Sequence, residues 1–94
     1  MQLTLARKRE LVSGFLKTQS TLALSTSGGA GSPRVAPLFY LPGDALELYW
    51  FSSSRSEHSR NLQRDPAAAV AVYAQAGRWE DIRGCQMLGA VAVV

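Results

Sequence analysis

The sequence has little of what disulfide-rich, metal-binding or membrane proteins require. Its 94 residues include one cysteine and one histidine. One cysteine excludes an internal disulfide framework, and one histidine excludes a histidine-based cluster of metal ligands. The longest apolar run, residues 67–74, is far shorter than the roughly 20 residues of a membrane helix. No apolar run follows the basic residues near the start, as a secretory signal would require. We therefore expect a reduced, cytoplasmic protein without a metal site.

The motifs of common nucleotide-binding and hydrolytic sites are also missing. No Gly-x-Gly-x-x-Gly opens a helix, no Gly-Lys-Ser/Thr forms a phosphate-binding loop, and no Gly-x-Ser-x-Gly surrounds a serine. The glycines of residues 28–31 lie between predicted strands, where they serve a turn. Cys85 lies in a strand-like stretch, and a free cysteine is often only a buried packing residue. We expect no residue to act as an obligatory nucleophile, acid or base.

The composition is that of one small globular domain, residues 1–94. Hydrophobic residues make up 47% of the chain and charged residues 18%, a balance that is typical of a folded protein. The net charge is +3, and eight of the ten cations are arginine. Arginine favours bidentate recognition of phosphate or carboxylate, so we expect an anionic ligand. A charge this small is a weak signal for nucleic acid, which we do not expect as a partner.

The hydrophobic pattern of the first half predicts one helix and three strands. Apolar residues at positions 11, 12, 15 and 16 predict an amphipathic helix over residues 4–18. Alternation predicts strands at 20–26, 33–41 and 46–52, joined by turns at 27–32 and 42–44. Pro37 has no N–H to donate, so the second strand should lie at an edge or carry a bulge. The three strands are expected to form an antiparallel meander.

The second half of the sequence predicts a short helix and two strands. Ser54 and Glu57 fit a capping box, which predicts a helix of two to three turns that ends at Asp65. Strands are predicted at 67–76 and 82–94, the latter interrupted by Gly84 and Gly89. Short antiparallel strands separated by glycine and proline favour a barrel or a sandwich. The final strand is apolar, so either a partner subunit covers it or the chain is cut short, and we expect a dimer.

The segment 49–66 contains the strongest candidate site. A strand ends at Ser52, and the helix that follows has Arg55, Ser56 and His58 at its start. Unpaired N–H groups and partial positive charge at a helix start favour phosphate binding, and these side chains would strengthen it. The alternative is purely structural: Ser54 and Ser56 cap the helix, while Arg55 and His58 point to solvent.

Two further candidates are weaker. Arg34 follows the glycine-rich loop and could reach a phosphate or a ring carbonyl above the sheet, or could simply be a solvated strand residue. Trp79 and Arg83 could stack on a planar ligand, but a tryptophan in a turn could equally cover the core.

These segments together resemble a known family. They are, in order, an amphipathic first helix, a strand at 21–26, a glycine-rich hairpin, 33–38 (PRVAPL), 48–52 (LYWFS), Ser56-x-His58-x-x-Asn61-Leu62 with Asp65-Pro66, and Ile82-Arg83-Gly84-x-Gln86-x-x-Gly89. Their order and spacing resemble the pyridoxamine 5′-phosphate oxidase-like FMN-binding split-barrel superfamily. The resemblance implies a mainly β fold with short helices: an antiparallel, six-stranded Greek-key split barrel, here C-terminally truncated. It also implies a homodimer that binds FMN at the subunit interface.

The resemblance further implies a set of cofactor-binding residues. They are Arg34, Val35, Ala36, Pro37, Leu38, Phe51, Ser52, Ser56, His58 and Gln86. Residues 34–38 would line the flavin with Phe51 and Ser52 beside it, and Ser56 and His58 would contact the phosphate with help from Arg34. Gln86 would contact the flavin ring or the partner subunit. Glu57 and His58 stand where the vitamin B6 oxidases of this superfamily have an Arg-Lys pair, which predicts a weaker grip on phosphate.

We therefore expect an FMN-binding flavoprotein, and specifically an oxidoreductase whose substrate the sequence does not identify. The flavin would supply the redox chemistry, and the protein would bind and orient it. One alternative is a non-catalytic flavin-binding or carrier protein. The other is a small basic barrel that binds nucleic acid through its arginines and aromatic residues.

Overall fold

A computed structural model describes residues 2–94 of the chain. Within this range there are two α-helices, α1 (Leu5–Thr18) and α2 (Glu57–Arg64). The strands are β1 (Thr21–Ser27), β2 (Pro33–Phe39), β3 (Leu41–Pro42), β4 (Leu48–Tyr49), β5 (Ala67–Tyr73) and β6 (Gly84–Ala90). Short 3₁₀ turns lie at Gly29–Gly31 and Trp79–Asp81. Neither α-helix of the described chain has the length and apolar character needed to cross a membrane.

The strands form two antiparallel sheets. One sheet has four strands in the order β2-β1-β5-β6, and β3 pairs with β4 in a second, two-stranded sheet. A mainly β, antiparallel fold with two short helices is therefore confirmed. The predicted three-strand meander is divided between the two sheets: β1 pairs with β2, and the third predicted strand pairs, as β4, with β3. β1 also pairs with β5 on its other side. The chain must pass beyond β1 between β2 and β5, instead of adding a neighbouring strand each time.

The strand predicted at 33–41 is interrupted at Tyr40. This residue is buried, and its hydroxyl donates a 2.6 Å hydrogen bond to the Leu16 carbonyl at the end of α1. The strand predicted at 33–41 is thus divided into β2 and β3. Ala45 and Leu46 have φ values of 53° and 63°, so the turn extends through the predicted start of the next strand. Only Leu48–Tyr49 of the predicted 46–52 strand is paired.

The two strands that were predicted after Pro66 are confirmed, although both are shorter than expected. β5 and β6 pair from Ala67 opposite Ala90 to Tyr73 opposite Gly84. Regular pairing ends where either partner ends, which shortens the predicted 67–76 and 82–94 strands. β2 pairs only with β1, so Pro37 lies on an edge strand as predicted.

The four-stranded sheet has a buried inner face and an exposed outer face. Leu22, Leu24 and Val72 lie on the inner face and form a buried core with Leu16 of α1 and Tyr40. Burial of one such aliphatic side chain is worth about 1.5–3 kcal/mol. In α1, Val12 and Phe15 pack against this core as predicted, but Leu11 is exposed. The outer face carries Val35, Phe39, Tyr73 and Leu88, and all four are exposed.

Candidate functional site

Ser56 is the N-cap residue of α2. Its Oγ accepts a hydrogen bond from the Ser59 N–H at 3.2 Å and lies 2.9 Å from the Ser53 carbonyl oxygen. The predicted cap at Ser54 is wrong, because a turn closed by the Ser56 N–H and the Ser53 carbonyl delays the helix start by two residues. The first N–H groups of a helix have no partner within it, so those of Glu57 and His58 can face an anion.

His58 connects the first turn of α2 to the segment that follows β4. Its Nε2 lies 2.8 Å from Ser52 Oγ, which is a hydrogen bond between two of the predicted site residues. The ring is half-buried, while Ser52 is exposed. The bond fixes the imidazole beside the strand end, so His58 does not simply extend into solvent.

Arg34 reaches the same helix start from β2. Its Nε lies 3.7 Å from Oε1 of Glu57, the first residue of α2. Both side chains are more than half exposed, and such surface ion pairs contribute about 0–1 kcal/mol. The pair therefore adds little to stability, but it places a carboxylate beside the Arg34 guanidinium at the start of α2.

A buried hydrogen-bond network holds α2 in this position. Asn61 is only 2% exposed; its Nδ2 donates to Thr26 Oγ1 at 3.0 Å, and its Oδ1 accepts from the Arg64 guanidinium. Thr26 is the cross-strand neighbour of Arg34. The network thus ties α2 to the point on the sheet from which Arg34 emerges. No anchoring role was predicted for Asn61, although α2 has one large apolar residue, Leu62, and needs polar contacts to hold it against the sheet.

The five predicted residues of β2 do not share one face. Val35 and Pro37 lie on the outer face, whereas Ala36 and Leu38 point inward, and Leu38 packs against the core. Arg34 has the inward register, at the end of the strand. A ligand on one face could therefore touch only some of these side chains. Because β2 is an edge strand, the backbone groups of alternate residues, which point away from β1, are left without a strand partner.

Phe51 and Gln86 differ in position from the other candidates. Phe51 follows β4 and is exposed. Gln86 lies on the outer face of β6, in a cross-strand row with Ala71, Ala23 and Pro37. Three strand spacings separate it from β2, a distance of about 14 Å. The structure brings Arg34, Ser52, Ser56 and His58 to the start of α2 and places Gln86 at the opposite sheet edge.

Trp79 and Arg83 are not arranged as a ligand clamp. Trp79 is exposed in its 3₁₀ turn, whereas the Arg83 guanidinium lies 5.9 Å from the centroid of the Phe15 ring. This cation–π contact connects the start of β6 to α1. Cys85 is half-buried on the inner face, opposite Val72.

Two tyrosine side chains have perturbed acidity, and both lie outside the helix start. Burial, with a smaller contribution from Cys85, raises the pKa of Tyr40. The pKa of Tyr49 is raised because its hydroxyl donates a 2.7 Å hydrogen bond to the Glu47 carboxylate. These shifts therefore describe the core and the β3–β4 hairpin.

Solved structures with the same fold are much longer than this chain. Protein Rv2991 of Mycobacterium tuberculosis, a conserved hypothetical protein, is 22% identical with a TM-score of 0.77; the match covers 96% of this chain and 52% of that one. The haem storage protein HutZ of Vibrio cholerae is 18% identical with a TM-score of 0.76, covering 90% and 61%. A haem-binding protein of Mycobacterium smegmatis is 20% identical with a TM-score of 0.74, covering 96% and 36%. A comparison with curated proteins finds no significant match.

The sequence also matches a family model. The model, described as pyridoxamine 5′-phosphate oxidase, matches residues 9–94, which is nearly the whole chain. The fold agrees with this match, because the two antiparallel sheets superpose on those of split-barrel proteins. The chain belongs to the pyridoxamine 5′-phosphate oxidase-like family of split barrels.

Proposed function

We propose that this protein is an FMN-binding flavoprotein that works as a homodimer, and that it is an oxidoreductase acting on a small-molecule substrate. The observation that carries the proposal is the polar cluster at the start of α2. Arg34 contacts Glu57 in the first turn of α2, Ser56 caps this helix, and His58 is hydrogen-bonded to Ser52.

The residues of this cluster fit a phosphate-bearing flavin. A guanidinium, an imidazole and the first N–H groups of a helix are all donors to phosphate oxygens. Arg34 and His58 would hold the phosphate, and the backbone edge of β2 would accept the polar edge of the ring. When bound, FMN supplies the electron transfer, while this chain's residues bind and orient it.

The outer face of the sheet supports the homodimer. Val35, Phe39, Tyr73 and Leu88 are exposed around a centre of alanine and serine side chains. Soluble monomers rarely expose a large continuous apolar patch, and such patches often mark interfaces. Gln86 lies on this face, too far from Arg34 to reach the same ligand within one chain. A second copy packed on this face would contact Gln86 directly, which is the partner-subunit role that the resemblance implies for this residue.

Binding of FMN by the purified chain tests the proposal. Arg34→Gln should weaken FMN binding by roughly 10- to 100-fold, since it removes one charge-assisted hydrogen bond. Arg9→Gln removes the same charge from an exposed position on α1 and should leave the affinity unchanged. Quenching of flavin fluorescence measures both. Equal affinities in the two variants would exclude Arg34 from the site.

The same preparation distinguishes the competing functions. Bleaching of the flavin by NADH or NADPH, followed by reoxidation in air, would identify an enzyme, whereas a carrier would bind FMN without turnover. Two structural relatives are described as haem proteins, so haem is titrated in parallel. A Soret band without flavin binding would show that the cofactor is haem and not FMN. Binding of single-stranded nucleic acid that falls steeply with salt would favour the basic-barrel alternative.

A further inference from the structure

We infer that Glu57 determines the charge specificity of the site, because its carboxylate partly neutralises Arg34 and so weakens binding of the doubly charged phosphate of FMN relative to the uncharged tail of riboflavin. The inference rests on the proposed function. It concerns how strongly the site discriminates between two tails of the same flavin, which the proposal leaves open.

The position of Glu57 is fixed by the fold. Glu57 and Asn61 are four residues apart on α2, so they project from the same face of the helix. Asn61 is buried against Thr26, and Thr26 lies opposite Arg34 on the neighbouring strand. The anchor that turns Asn61 toward β1 therefore turns Glu57 toward Arg34, and the 3.7 Å contact follows from it.

The charges around this point make Glu57 decisive. Arg34 is the cation whose guanidinium contacts the first residue of α2, while the guanidinium of Arg64 is bonded to Asn61. A carboxylate 3.7 Å from this guanidinium cancels part of its attraction for phosphate. Glu57 also lies in the first turn of α2, where its charge is favoured by the helix dipole, so it occupies the position that an anion would prefer.

The test is a set of FMN and riboflavin titrations with matched variants. Glu57→Gln keeps the shape of the side chain and removes its charge, and it should tighten FMN binding about 2- to 5-fold while leaving riboflavin binding unchanged. Glu10→Gln is the control, because it removes a carboxylate from the exposed Arg7–Glu10 pair of α1. It should change neither affinity.

The double variant Arg34→Gln/Glu57→Gln shows whether the effect acts through Arg34. The gain from Glu57→Gln should be much smaller in the Arg34→Gln background, since the neutralised cation is then absent. If the wild-type chain binds FMN but Glu57→Gln leaves its affinity unchanged, the inference is wrong and the proposed function stands. If neither flavin binds to any variant, both are wrong. Circular dichroism of each variant checks that α2 remains folded.

Discussion

The two faces of the four-stranded sheet use similar residues for different purposes. On the inner face Leu24 is 0% exposed and packs with Leu22 and Val72. On the outer face Val35 is 72% exposed and Leu88 is 88% exposed, although both are also aliphatic. The strands of the two faces are the same, so the difference arises only from the alternation of side chains along each strand.

Side chains on the inner face stabilise the fold of the single chain, whereas those on the outer face are free to bind another surface. Inner-face side chains are removed from water when the chain folds, and they stabilise it directly. Outer-face side chains gain nothing from that step and can gain only when another surface covers them. An apolar outer face with small residues at its centre is therefore the part of the molecule best suited to a flat, self-complementary contact.

The largest expected effect is on the free energy of unfolding, when an aliphatic side chain on each face is shortened to alanine. Leu24→Ala should lower the free energy of unfolding by about 2–5 kcal/mol, because it leaves a cavity in the core. Val35→Ala should change it by less than about 0.5 kcal/mol at protein concentrations low enough to dissociate a dimer. Urea denaturation of both variants measures the difference. Similar losses would show that the outer face contributes to the stability of the single chain.

A charge on the outer face should break association without unfolding the chain. Leu88→Glu would bury an unpaired carboxylate in the proposed interface, at a cost of about 2 kcal/mol or more. The dimer dissociation constant should then rise by roughly 30-fold or more. Sedimentation equilibrium measures this constant, and Gln63→Glu is the control, because it adds the same charge to an exposed position on α2. An unchanged dissociation constant for Leu88→Glu would show that the dimer interface is not on this face.

The smallest effect concerns the hydrogen bond that closes the inner side. Tyr40→Phe removes the bond to the Leu16 carbonyl and should cost about 1 kcal/mol. Because burial raises the pKa of Tyr40, its stabilising contribution is complete below the ordinary tyrosine value of about 10 and is lost as pH rises through the higher folded value. Wild-type stability should therefore decline at alkaline pH more steeply than that of Tyr40→Phe. Equal slopes in thermal melts at several pH values would contradict this.

The positions of most helices and strands along the sequence were predictable, whereas the pairing of distant strands was not. The alternation of residues 21–27 and the helix-like spacing of 11–16 depend on neighbouring residues, so the sequence indicates both. The pairing of β1 with β5 depends on residues about 45 positions apart, and no local pattern encodes it. The turn residues Ala45 and Leu46 adopt positive φ, which their side chains do not favour, so the short β4 could not be anticipated.

The candidate site divides in the same way. The start of α2 was recognised because serine, histidine and arginine near a helix start are typical of anion binding, although Ser56 replaces Ser54 as the cap. The contact between Arg34 and Glu57 was not foreseen, since 23 positions separate them and a salt bridge requires a side-chain approach of a few ångströms. Asn61 belongs to one of the motifs that carry the family resemblance, but its burial depends on its packing against Thr26, which only the structure shows.

The sequence alone determined the class of the protein: short alternating segments, a proline at an edge strand and an ordered set of motifs are local features of the chain. Only the tertiary structure decided which faces meet water and which charges meet each other. Both depend on how distant strands and helices are packed, and a free energy of packing belongs to contacts between segments, not to any one of them. Glu57 and Arg34 are ordinary surface residues in the sequence, and they form an ion pair because Asn61, one turn further along α2, is buried against Thr26.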